Sequence, residues 1–174
     1  MAIIKPNNNT LSSITALPAG VGGKVLQVVS TTTTAVSSIN SNSDTTTNVT
    51  NLNVSITPSS TSNKIFLIAS VFYGLDDDTY GSLCSVAFAR GSTAIGQGSE
   101  SAASGTVVGI GYTGTNNHVT VPIQFLDSPS TTSATTYHVV CRNHVGGNKT
   151  FYVNGRKNGT QRGASTITAY EIAG

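Results

Sequence analysis

The chain has 174 residues, a formal net charge of +2 and only 9% charged side chains, against roughly a quarter in an average globular protein. That length suits one domain with a proper core, and the near-neutral balance gives no electrostatic reason to expect nucleic acid or an anionic membrane as a partner. No run approaches the ~20 apolar residues of a helical membrane span. Ser, Thr and Asn take the place of the missing charges, so the polar surface is made of hydroxyls and amides. Thr and Val favour strands, Gly and Asn punctuate turns, and the composition reads all-β.

In chain order, residues 1–22 read as a short extended arm and residues 23–174 as the sandwich domain. The opening MAIIKPNNNT lacks an apolar core segment and a cleavage site, so no signal peptide is expected and synthesis in a cytosol is. Pro18, Gly20, Gly22 and Gly23 close the arm as a linker. The first strand is expected at 24–30, KVLQVVS. Residues 31–47 read as an edge strand or a low-complexity loop. Leu52, Val54 and Ile56 then alternate with polar neighbours, the mark of a half-buried strand.

The longest apolar run is 64–73, KIFLIASVFY. At period two, Ile65, Leu67, Ala69, Val71 and Tyr73 point one way, and Phe66, Ile68, Ser70 and Phe72 point the other. A strand apolar on both faces is central and covered on both sides. One cover is the domain's own core. A partner subunit is the natural second, with Phe66, Ile68 and Phe72 the candidate interface, or else Ile65, Leu67 and Val71. The alternative is that the loop 99–105 or the stretch 31–47 folds over that face.

Further strands are expected at 83–90, at 107–112 weakened by Gly109 and Gly111, at 118–125, at 135–142, at 150–153 and at 165–172. Pro122 demotes its strand to an edge or a bulge. Asn154-Gly155 and Asn158-Gly159 are turn dipeptides. Eight to ten short strands with frequent turn signals describe a single antiparallel β-sandwich, jelly-roll-like. TPSSTS at 57–62 and SPSTTS at 128–133 each precede a strand, as if one corner were built twice.

Little here points to chemistry. Asp76, Asp77 and Asp78 form the one acidic cluster, but the alternating ligands and distal Glu of an EF-hand loop are missing. His118, His138 and His144 have no metal spacing. Cys84 and Cys141 fall on apolar strand faces and read as buried thiols, with a disulfide disfavoured in a cytosol. GQGSESAASG lacks a Lys-Ser/Thr ending, and no G-x-S-x-G elbow occurs. No enzyme activity, metal or cofactor is expected. Arg156 and Lys157, with the three Asp residues, are candidates for exposed recognition loops.

The segments GKVLQVVS, VSITPSSTSNKI, ARGSTAIGQG, FLDSPSTTSATTY and STITAYEIAG occur in this order from Gly23 to Gly174. Together they resemble a recurrent module of bacteriophage virion proteins common in aquatic phages, including those of cyanobacteria. The module is similar to trimeric cement (decoration) proteins of capsids and to the distal domains of tail fibres and tailspikes. The resemblance implies a homotrimer on the outer capsid surface that binds the major capsid protein. Ile3, Ile4, Leu11, Ile14 and Leu17 of the arm are the expected capsid contact, because only a short arm precedes the module. The alternative it implies is a receptor-binding tip that reads host surface polysaccharide through loops such as 75–80 and 154–162.

Overall fold

The computed structural model describes residues 24–41, 46–75, 83–96, 110–112, 118–143, 149–156 and 160–174. These residues contain no helix. They form β1 (Val25–Thr33), β2 (Ser37–Ser41), β3 (Thr46–Ile56), β4 (Lys64–Leu75), β5 (Leu83–Arg90) and β6 (Thr93–Ile95). β7 (Ile110–Tyr112), β8 (His118–Asp127), β9 (Thr135–Asn143), β10 (Lys149–Val153) and β11 (Ser165–Ile172) complete the set.

All pairings are antiparallel and fall into two sheets. In the first, β4 pairs with β8 along one edge and with β11 and then β10 along the other. Val153 of β10 faces Tyr73, and Thr166 of β11 faces Ser70. β10 and β11 are therefore one strand line, interrupted by the excursion 154–164. β1 pairs with β11 and β2 with β10, so β1 and β2 form a second interrupted line beside it. In the other sheet β9 lies between β3 and β5, and β6 and β7 share the far edge of β5. Counted as lines in chain order, the sheets read 1-8-3-6 and 2-7-4-5, which is the strand order of a jelly roll.

The core follows from alternation. Ile65, Leu67, Ala69, Val71 and Tyr73 of β4 are all buried, as are Leu52, Val54 and Ile56 of β3 and Tyr137, Val139 and Cys141 of β9. These side chains meet between the sheets, where an apolar interior of close-packed branched residues is the main stabilising term. β8 alternates as expected, with Val121 and Ile123 inward and Thr120, Pro122 and Gln124 outward. It pairs only with β4 among the described strands, which is where a proline is tolerated.

Some expectations need correction. The stretch 31–47 contributes the end of β1 and all of β2, so its described part extends the sheet edge and does not cross the face of β4. β3 begins at Thr46, earlier than its alternation suggests. Its pairing with β9 slips between Asn48 and Asn53, where Asn51 takes φ 59°. That irregularity hides the period-two signal. The 107–109 part of the weak strand lies outside the described residues.

The Asn154-Gly155 dipeptide is more than a turn. Asn154 is fully buried with φ 60°, and its side chain bridges the interruption in both lines. Nδ2 donates to the carbonyls of Thr33 (2.8 Å) and Ala35 (3.1 Å), and Oδ1 accepts from the Ser165 hydroxyl at 2.7 Å. The Phe72 N–H in turn donates to Ser165 Oγ at 2.9 Å, while the Asn154 N–H donates to the Phe72 carbonyl, also at 2.9 Å. One amide thus ties β1, β4, β10 and β11 where ladder bonds lapse.

Asn154→Gly keeps the left-handed backbone but removes the partner of the buried Thr33 carbonyl, the part-buried Ala35 carbonyl and the Ser165 hydroxyl. It should cost about 2–4 kcal/mol in urea unfolding, and Asn154→Ala about 1 kcal/mol more for the positive φ. A loss under about 0.5 kcal/mol for both variants would show that the bridge is not what joins the lines.

Candidate contact face and the stapled end

The residues that β4 turns away from the core lie on an outer face with the outward residues of its neighbours. Register places Val28, Tyr170, Phe66 and Leu126 in one row across β1, β11, β4 and β8. Phe66 and Tyr170 are ring neighbours, their centroids 6.3 Å apart. Beside this row run Val25, Ile172 and Lys64 on one side, and Ser30, Thr168, Ile68 and Gln124 on the other. Val28 is 53% exposed, Val25 and Leu126 50%, Leu26 at the β1 bulge 43% and Ile68 39%. Five of the six exposed large apolar side chains among the described residues thus gather at one end of one face; the sixth is Val36.

The next rows turn polar. Ser30 and Thr168 hydroxyls are bonded at 2.9 Å, and Thr32 and Thr166 at 3.1 Å. At the far end the Phe72 and His118 ring centroids lie 4.9 Å apart, the rings tilted by 35°. Gly163 presses against the Phe72 ring so closely that a Cβ there would collide with it. Phe72 is half-buried under its own chain, by an excursion other than the two considered from sequence.

The sequence candidates therefore separate. Ile65, Leu67 and Val71 belong to the core. Phe66 and Ile68 lie in the open apolar stripe, and Phe72 lies outside it. Val28, Tyr170 and Leu126 were missed, although adjacent apolar pairs signal them. In Val28-Val29 and Phe125-Leu126 both members cannot face the same core.

Arg156 is half-buried. Ile3, Ile4, Leu11, Ile14, Leu17, Asp76, Asp77, Asp78, Lys157, His144 and the loop 99–105 lie outside the described residues. Cys141 is buried, its Sγ 3.5 Å from the Thr47 carbonyl, and the Cys84 side chain is not described. Among the described residues no three His, Cys, Asp or Glu side chains are grouped to hold a metal ion, and no helix is long and apolar enough to cross a membrane.

The end of the sandwich beside this stripe is fastened by two buried carboxylates. Glu171 accepts from the Ser59 N–H (2.6 Å), the Ser59 hydroxyl (2.7 Å) and the Asn63 amide (2.6 Å). This holds the 57–63 corner against β11. Asp127 accepts from the Tyr137 hydroxyl at 2.6 Å and pairs with Arg90 at 3.0 Å. It joins β8 of one sheet to β9 and β5 of the other beside the 128–134 corner. Burial first, and then the bond to Asp127, push the Tyr137 pKa well up, so the phenol remains a donor at all ordinary pH. The TPSSTS and SPSTTS echo is thus one corner built twice, at the same end, crossing between the sheets in opposite directions.

Lys24 and the C-terminal residues are tied here as well. The Ala173 N–H donates to the Lys24 carbonyl and the Gly174 N–H to Asn63 Oδ1. The fold is a jelly-roll sandwich with an apolar stripe across one outer face. No protein-family model and no curated protein matches the sequence.

Burial alone would raise the Glu171 pKa, but its bonds to Ser59 and Asn63 outweigh that and hold it below the ordinary value of 4.5. A carboxylate depressed on folding stabilises fully above its unfolded pKa, and the contribution is lost as pH falls through the folded one. Urea midpoints should therefore decline from about pH 4.5 downward. Glu171→Gln should remove that part of the decline while lowering stability at neutral pH. An unchanged acid limb in the variant would locate the acid sensitivity elsewhere.

Proposed function

We propose that this protein is a bacteriophage structural protein, a decoration or cement protein that forms trimeric knobs on the outer capsid surface and binds the major capsid protein. The observation that carries the reading is the polarity of the sandwich. Lys24 and the residues that follow β11 are tied down at the doubly stapled end. The strand ends bounding 42–45, 76–82, 113–117 and 144–148 gather at the opposite end. A sandwich with Lys24 at one pole suits a protein held against a shell through the segment that precedes it. The resemblance of the segments quoted from Gly23 to Gly174 to virion modules supports the same reading.

In a cement role the arm works against the outward pressure of packaged DNA. Ile3, Ile4, Leu11, Ile14 and Leu17 each offer roughly 1.5–3 kcal/mol if fully buried on the shell, and three arms on one trimer multiply the attachment. The gathering of strand ends at the other pole favours a second reading, a tail-fibre or tailspike tip that binds host surface polysaccharide. Copy number separates the two. Hundreds of copies per purified particle are expected for cement, and a few tens or fewer would contradict it. Removing residues 1–20 should leave a folded oligomer that no longer decorates capsids; undiminished decoration would rule out the arm.

A further inference from the structure

We infer that the stripe formed by Val28, Tyr170, Phe66 and Leu126, with Val25, Ile172 and Ile68 beside it, is the contact between copies of this chain. The inference deepens the oligomeric part of the proposed function by naming the face, and it holds for the isolated protein wherever on a particle the protein sits.

The chemistry of the face favours a second copy. Among the residues that β1, β11, β4 and β8 turn outward there is no carboxylate and one lysine, Lys64, which sits at the rim bonded to Ser128. A face whose single charge lies at its rim offers little for a charged partner to recognise. Depletion of charge with aromatic and aliphatic enrichment is what the core of a homo-oligomer contact shows.

Size points the same way. Half-exposed Val25, Val28 and Leu126, with Leu26, Ile68 and the partly covered rings, present on the order of 500 Å² of apolar surface. That is about the apolar share of the ~800 Å² each partner gives to a standard interface, and it lies near the upper limit for a free monomer.

The stripe also runs from edge to edge. Val28 lies on β1 and Leu126 on β8, each paired on one side only among the described strands. β1 offers nine residues of edge without proline or lysine, a length that soluble proteins blunt or cover. Face and edge are thus open at the same place, and one neighbouring subunit covers both. Closure into a ring prevents open-ended growth.

The test is the oligomeric state of the full chain by sedimentation velocity over a hundredfold dilution from micromolar concentration. The wild type is expected to sediment as a discrete oligomer. Leu126→Glu and Val28→Lys, made singly at exposed positions, should each raise the concentration of half-dissociation by at least tenfold. Thr50→Glu, on the other sheet, should leave it unchanged. Thermal unfolding of the dissociated variants reports whether they are folded monomers.

A wild-type monomer overturns the inference. So does an oligomer indifferent to both stripe variants. An oligomer lost on deletion of residues 1–22 but insensitive to the stripe variants overturns it too, and gives the contact to the arm. Loss of capsid decoration by a variant that still assembles would bear on the proposed function and leave this contact standing.

Discussion

The structure depends on keeping β4 paired along its whole length although its neighbour is broken. β8 provides one unbroken partner, and β11 and β10 must share the other edge across an excursion of residues 154–164. Asn154 resolves the gap with groups of the right kind on a side chain short enough to reach. It supplies two donors to orphaned carbonyls and an acceptor for Ser165, which itself serves the Phe72 N–H. A buried polar cluster is stabilising only when every member is satisfied, and here the described partners leave none of these groups unpaired. The positive φ that asparagine tolerates better than most residues lets the chain turn out of line at that point.

With β4 fixed, its two faces acquire different roles. The inward set joins β3, β5 and β9 in the core. The outward set becomes a stripe of apolar side chains at one end and hydroxyl pairs at the other. Low charge makes this division tolerable, because Thr–Thr and Ser–Thr pairs occupy outer positions where other proteins place ion pairs. Among the described residues, buried carboxylates appear where the two sheets are joined at corners, and both are furnished with donors. The stapled end and the apolar stripe adjoin, so a firmly fastened part of the sandwich backs the face proposed to meet another copy.

The all-β class, the sandwich and most strand positions are legible in the sequence because period-two alternation and turn residues report directly on a half-buried sheet. β11 alternates without error, and β8 does so until Leu126. Register is not legible. Nothing in STITAYEI or KIFLIASVFY says that Tyr170 stands beside Phe66, so the row from Val28 to Leu126 could not be assembled from single strands. Phe72 shows the converse limit. It reads like Phe66, but a glycine far along the chain, Gly163, closes over it. Asn154 reads in sequence as a turn and nothing more, because burial and partners are tertiary facts.

The most direct measurement is hydroxyl-radical footprinting of the protein across a dilution series, read residue by residue. If the outer face of β4 is a contact between copies, Phe66, Tyr170 and Leu126 should be modified slowly at micromolar concentration and faster on dilution. His138, on the outer face of the other sheet, should be modified at a constant rate. Equal, concentration-independent modification of Phe66, Tyr170 and Leu126 would mean that the stripe faces water, and would contradict the account.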